Sequence, residues 1–83
     1  MLAPKHIIED EGIREYLETR WLIQQYQKAK QYILQWFSHQ TQFKERQPKG
    51  TNIRSFRINK QYRAIGSFDS EWDLRIFSID NHS

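Results

Sequence analysis

The cations of this chain are gathered in one stretch. Residues 43–63 carry seven basic side chains, Lys44, Arg46, Lys49, Arg54, Arg57, Lys60 and Arg63, against one acidic one, Glu45, a local charge of +6. Residues 1–42 hold five basic and five acidic residues and sum to zero, so the formal net charge of +3 understates the concentration. Such a run is the electrostatic footprint of a polyanion binder. An acidic protein partner would suit it equally. A charge run is ordinarily a solvated face, but solvated faces intersperse opposite signs and this one does not. The arginines matter most, because a planar guanidinium matches a phosphate through two parallel hydrogen bonds. The side chains that titrate near neutrality, His6, His39 and His82, are widely scattered, and each alone is an ordinary surface histidine. There is no Gly-rich phosphate loop, no nucleophile motif and no metal-ligand spacing. The expectation from these residues is binding to a polyanion or an acidic partner, with no metal and no small-molecule cofactor.

The elements that must position these cations lie mostly in the last third. Residues 53–58, 61–68 and 72–79 are rich in Ile, Phe, Tyr and Trp, as strands are. Asn59-Lys60 separates the first two and Asp69-Ser70-Glu71 precedes the third, which predicts an antiparallel meander. Asn tolerates positive φ, so Asn59-Lys60 is an acceptable tight turn. A two-residue turn sets Ile58 opposite Gln61, Arg57 opposite Tyr62 and Phe56 opposite Arg63. Opposed residues share a face, so Arg63 would join a row with Phe56, Ile58 and Ile65, lining a cleft or reaching to the rim. A three-residue loop would shift this register.

Upstream, residues 10–40 have helical periodicity. Asp10 is a candidate N-cap, and Glu11 and Glu15 suit the helix N-terminus. Apolar spacing is helical at Ile13, Tyr16 and Leu17, and again at Leu22, Tyr26, Ala29, Ile33, Trp36 and Phe37. The phase slips near residues 19–21, which predicts two packed helices rather than one bent helix. Residues 38–51 read as a loop punctuated by Pro48 and Gly50, with Phe43 pinning it to the core. Residues 1–10 offer at best a stub of strand around residues 5–8. The expected core is Leu17, Leu22, Tyr26, Ala29, Ile33, Trp36, Phe37, Ile58, Ile65, Phe68, Leu74 and Ile76.

A chain of 83 residues makes one domain with a small core. Its 37% hydrophobic content is low, and the 14% aromatic content compensates because each ring buries a large area. The absence of cysteine excludes a disulfide framework and a thiolate metal site, and fits a reducing cytoplasm. No stretch approaches the roughly 20 apolar residues of a membrane span, and residues 1–10 lack the apolar segment of a signal peptide.

Two segments carry a resemblance. R-I-N-K-Q-Y-R at residues 57–63, followed by D-L-R-I-F-S-I-D-N-H at residues 73–82, resembles the C-terminal half of toxins of the RelE/ParE superfamily, most closely its HigB and YoeB branches. Those chains end in a hairpin with an arginine on its second strand, then a last strand closing in a short tail with a histidine. The likeness covers about 30 residues tightly and the preceding basic loop loosely. It implies a RelE-like α+β fold: two N-terminal helices on one face of a three-stranded, at most four-stranded, antiparallel sheet.

The resemblance also implies a function. It points to an mRNA endoribonuclease that acts on the ribosome in the cytoplasm and is neutralised by a cognate antitoxin. In such cleavage the RNA 2′-OH attacks the adjacent phosphorus and the 5′-oxygen leaves. A base must take the 2′ proton, an acid must protonate the leaving oxygen, and a cation must stabilise the anionic phosphorane. Arg63 is the cation candidate and His82 the acid/base candidate, aligned with the terminal histidine of the family. Glu45 is a candidate general base by analogy with a carboxylate of the YoeB branch. Lys44, Arg46, Lys49, Arg54, Arg57 and Lys60 would hold RNA phosphates. The aromatic that follows the histidine in YoeB-like chains is Ser83 here. Two alternatives stand beside this reading. One is a non-catalytic relative, either a ParE-like gyrase inhibitor or an inactive remnant, which the short N-terminus favours. The other is a small nucleic-acid-binding module, which the basic run alone would support.

Overall fold

The computed structural model describes residues 4–35, 43–45 and 52–81. In chain order the elements are β1 (Ile7–Glu9), α1 (Ile13–Thr19), α2 (Ile23–Leu34), β2 (Lys44–Glu45), β3 (Ile53–Arg57), β4 (Tyr62–Phe68) and β5 (Leu74–Asn81). The fold is α+β: two helices on a mixed sheet of four strands, with the two-residue β2 added at one edge, in the order β1-β5-β4-β3-β2. The meander β3-β4-β5 is antiparallel. The N-terminal segment departs from the expected all-antiparallel sheet, because β1 runs parallel to β5. The chain that joins these parallel neighbours runs through both helices and then through β2, β3 and β4.

The helical break falls where the periodicity slips. Leu22 N–H donates to Leu17 O at 2.8 Å, and Trp21 adopts φ 60 between the helices. Trp21 projects from this turn, 91% exposed. The start of α1 differs from expectation. Gly12, at φ 89, is the capping residue, a left-handed conformation that glycine reaches without strain. Asp10 contributes its backbone carbonyl instead, accepting from Ile13 N–H at 3.1 Å.

Strand alternation divides the sheet into a helix side and an open side. Phe56, Ala64, Phe68, Leu74, Ile76 and Ile7 point to the helix side and meet Leu17, Leu22, Tyr26, Ala29 and Ile33. Tyr26 stacks on Phe56 with centroids 5.9 Å apart. Phe43 packs edge-on against both Phe56 and Phe68, each at 6.4 Å, and so pins its segment to the core as expected. Ile7, Ile13, Phe43, Phe56 and Ala64 are core residues beyond the expected set. Ile65, expected in the core, is only half-buried and faces the open side. Trp36 and Phe37 lie outside the described residues.

One polar cluster sits inside this packing. The Tyr26 hydroxyl donates to Glu9 Oε2 at 2.6 Å, and Lys30 Nζ reaches the same oxygen at 3.0 Å, tying β1 to α2. Burial, and then the Glu9 carboxylate, push the Tyr26 hydroxyl far above the ordinary tyrosine pKa. Among the described residues, no helix is long and apolar enough to cross a membrane.

Candidate nucleic-acid interface

The register of the central hairpin decides which cations share a face. Arg57 opposes Arg63, Phe56 opposes Ala64, and Ser55 opposes Ile65. The two-residue turn expected from Asn59-Lys60 is therefore replaced by a three-residue loop, 59–61. Asn59 makes it: its Oδ1 accepts the backbone N–H groups of Gln61 at 2.8 Å and Tyr62 at 2.9 Å. Ile58 N–H donates to Tyr62 O at 2.9 Å and closes the loop. Asn59 Nδ2 donates to Gln25 Oε1 of α2 at 2.9 Å, which anchors the loop to the helices. The one-residue shift turns Arg63 away from Phe56 and Ile58, because a side-chain period of two reverses every face.

Arg63 thus stands on the open side, in a cross-strand row with Arg57 on β3 and Asp80 on β5. Among the described residues, no carboxylate comes within ion-pair distance of the Arg57 or Arg63 guanidinium. Arg57 Nε donates to Asn59 O at 3.1 Å. Arg75, further along the open side, differs. It lies 3.8 Å from Asp10 and 3.9 Å from Asp69, so its charge is matched.

The end of β5 returns to the same place. Asn81 opposes Tyr62, and Gln61 Nε2 donates to Asn81 Oδ1 at 3.0 Å. The last described residue is therefore fixed beside Arg63. His82 follows it in sequence and lies outside the described residues.

The other candidates separate. Lys60 is exposed in the 59–61 loop, next to the arginine row. Arg54 alternates to the helix side, opposite Gly66, with its guanidinium carbon 5.7 Å from the Phe68 ring centroid. It does not share the face of Arg57 and Arg63. The backbones of Lys44 and Glu45 pair with Ser55 and Arg54. Arg46 and Lys49 lie outside the described residues. Among the described residues, no group of three or more His, Asp or Glu side chains converges on one point. His6 and Asp73 form a separate pair, 3.1 Å apart, where the residue before β1 meets the β4–β5 turn.

Sequence reasoning missed one feature of this face. A bulge interrupts the β4–β5 pairing: Ile65 faces Ser78 but Gly66 faces Ile76, so Phe77 is an extra residue. A Cβ at Gly66 would lie 2.5 Å from the Arg75 carbonyl oxygen and 2.9 Å from Ile76 Cδ1. Glycine is what lets β5 approach so closely. The lone Gly in an otherwise strand-like run was the available signal, since it marks a bulge or a close backbone approach.

No protein-family model matches this sequence, and no curated protein matches it.

Proposed function

We propose that the chain binds RNA on the open side of its sheet and acts as a toxin-like, ribosome-associated mRNA endoribonuclease of the RelE/ParE kind, restrained by an antitoxin protein. The observation that carries the reading is the direct opposition of Arg57 and Arg63 on the face of the sheet opposite the described helices. Like charges directly opposed on a sheet destabilise it. An anion between them removes the repulsion, and a phosphate diester supplies oxygens to both guanidinium groups.

In this reading Arg63 stabilises the phosphorane and Arg57 holds the same or the neighbouring phosphate. Lys60 adds a cation at the loop. The proton-transfer roles rest on the resemblance, with His82 first and Glu45 second. The element order also supports it: a first strand paired into the sheet, a helical pair, a hairpin with an arginine on its second strand, and a closing strand. The pairing of β1 with β5 at all three of its residues, with Ile7 in the core, supports it as well. A non-catalytic binder is the reading that remains if RNA is bound but not cut.

Two measurements test the proposal. Single-stranded RNA binding should weaken with salt, each phosphate contact adding about −0.7 to the slope of log K against log salt. Removing Arg57 or Lys60 should flatten that slope by about one such step. Purified ribosomes carrying mRNA should show cleavage by the wild-type chain and not by Arg63→Ala. A flat salt dependence together with intact mRNA would overturn the reading.

A further inference from the structure

We infer that Phe77 is a base-stacking platform: an unstacked base of single-stranded RNA lies on its ring while the Arg57–Arg63 pair holds a phosphate. This rests on the RNA-binding reading above and names the form of RNA the face takes.

Phe77 is 44% exposed on a strand whose preceding residue, Ile76, is fully buried. At the bulge two residues of β5 oppose one of β4, so Phe77 stands with Ser78 opposite Ile65, on the open side with Arg63 rather than with the core. A large apolar ring on an open face is costly to leave in water, and this one is not an accident of alternation. The bulge places it: Phe77 is the extra residue between Ile76 and Ser78, and Gly66 opposite provides the close approach that the bulge needs. Bulges re-aim side chains and recur beside functional sites.

The position suits one nucleotide. Ser78, beside Phe77, faces Ile65, and Ile65 follows Arg63 by two residues on the same side of β4. Arg63 and Ser78 are therefore diagonal neighbours, about 7–8 Å apart, and Phe77 lies about 3.4 Å further along β5, a span that the arginine side chain and a nucleotide's reach from phosphate to base cover together. Charge selects the occupant: the arginine row beside Phe77 is unmatched by carboxylates within ion-pair distance among the described residues, whereas Arg75 beyond it is already paired. Arginines gripping the backbone with an aromatic under the base is how single strands are held without sequence readout. A duplex, whose bases are already stacked, would not gain from Phe77.

The test uses a labelled 2′-O-methyl oligoribonucleotide, which lacks the attacking hydroxyl and stays intact, and a chain of equal length and charge carrying abasic sugars. Phe77→Ala should weaken binding of the intact oligonucleotide by about 5- to 150-fold, the worth of one stacked base, with the salt slope unchanged. Phe77→Trp should keep the affinity, Phe77→Leu should not, and the abasic chain should bind wild type and Phe77→Ala alike. Equal loss on intact and abasic chains would overturn the inference and assign Phe77 to packing. Wild-type affinity in Phe77→Ala, with loss in Arg63→Ala, would overturn stacking alone and leave the phosphate reading standing, with Phe77 turned toward a protein partner. No binding of either oligonucleotide by the wild-type chain would overturn both readings.

Discussion

Arg57 of β3 and Arg63 of β4 stand directly opposite each other on the open side of the sheet, with no carboxylate within ion-pair distance of either guanidinium among the described residues. A cross-strand like-charge pair costs a fraction of a kcal/mol to about 1 kcal/mol. Asp80 opposes Arg63 on its other side, so a single substitution of Arg63 mixes this repulsion with an attraction, and a double-mutant cycle of Arg57→Gln and Arg63→Gln isolates the arginine pair. Its coupling should be unfavourable by about 0.2–1 kcal/mol in urea unfolding at low ionic strength, and it should shrink in high salt as screening takes over. Each single variant should bind RNA more weakly. A zero or favourable coupling at low salt would show that the pair is not strained and would remove the main support for an anion site.

Asn59 sets the register that creates this pair. Its Oδ1 accepts two backbone N–H groups, and Asn59→Ala leaves both to find water. The expected cost is about 1–2 kcal/mol in denaturant unfolding. Asn59→Asp keeps the accepting oxygen and gives up only the donation to Gln25, so it should recover most of that loss. Equal destabilisation by Ala and Asp would mean that the contact with α2, and not the loop closure, holds the hairpin.

These two residues also show where the sequence was legible. The helical pair could be read because its apolar spacing is long enough to reveal a phase slip, and Trp21 sits in that break with positive φ. The meander could be read from its β-branched and aromatic composition. The register could not, because a side-chain oxygen chose between a two-residue turn and a three-residue loop, and that choice leaves no trace in hydrophobic pattern. Arg63 was therefore placed on the wrong face. β1 was legible only as a stub because three residues are too few for a period, and its parallel direction escaped because pairing with β5 is a long-range choice. Gly66 carried a bulge signal that went unread, and the exposure of Phe77 depends on the register shift beside it.

Tyr26 links pH to stability. The pKa of its hydroxyl is raised above the ordinary tyrosine value of about 10 by burial and then by Glu9. The folded state thus keeps a proton that the unfolded chain loses above about pH 10. Stability is fully present below that pH and should fall by about 1.4 kcal/mol for each further pH unit until the folded group titrates. Tyr26→Phe should abolish this slope while costing about 1.5–3 kcal/mol at neutral pH, the worth of a hydrogen bond to a charged acceptor. Unfolding followed from pH 8 to 11 in both chains would check it. Identical slopes would show that Tyr26 is not the group responsible.

Gly66 should tolerate no side chain. A methyl group there meets the Arg75 carbonyl oxygen, a backbone atom that cannot swing aside. Gly66→Ala should destabilise by about 1–3 kcal/mol, as overpacking does. Any folded fraction should show disturbed β4–β5 amide resonances around the bulge. A melting temperature equal to wild type would mean that β5 shifts freely, and the bulge would then have no claim to position Phe77.

The proposed cleavage chemistry turns on Arg63 and His82. Arg63 is on a central strand, and β5 returns antiparallel beside it until Asn81, tied to Gln61, closes against Tyr62. His82 is next in the chain, and its proton-transfer role comes from the resemblance. Removing a group that stabilises transition-state charge typically costs on the order of 100- to 1,000-fold in rate, and removing a general acid or base roughly 100- to 10,000-fold. Arg63→Ala and His82→Ala should each reduce ribosome-dependent mRNA cleavage by such factors, with melting temperatures close to wild type. Arg63→Lys should not restore full activity, because an ammonium cannot bridge two phosphate oxygens as a guanidinium does. Arg63→Ala should also weaken RNA binding, since it removes a phosphate contact, whereas His82→Ala should bind RNA normally and fail to cut it. If His82→Ala cleaves as fast as wild type while Arg63→Ala is inactive, the proton passes through another group, Glu45 first. If both variants match wild type, Arg63 is not at the reacting phosphate and the enzyme assignment fails.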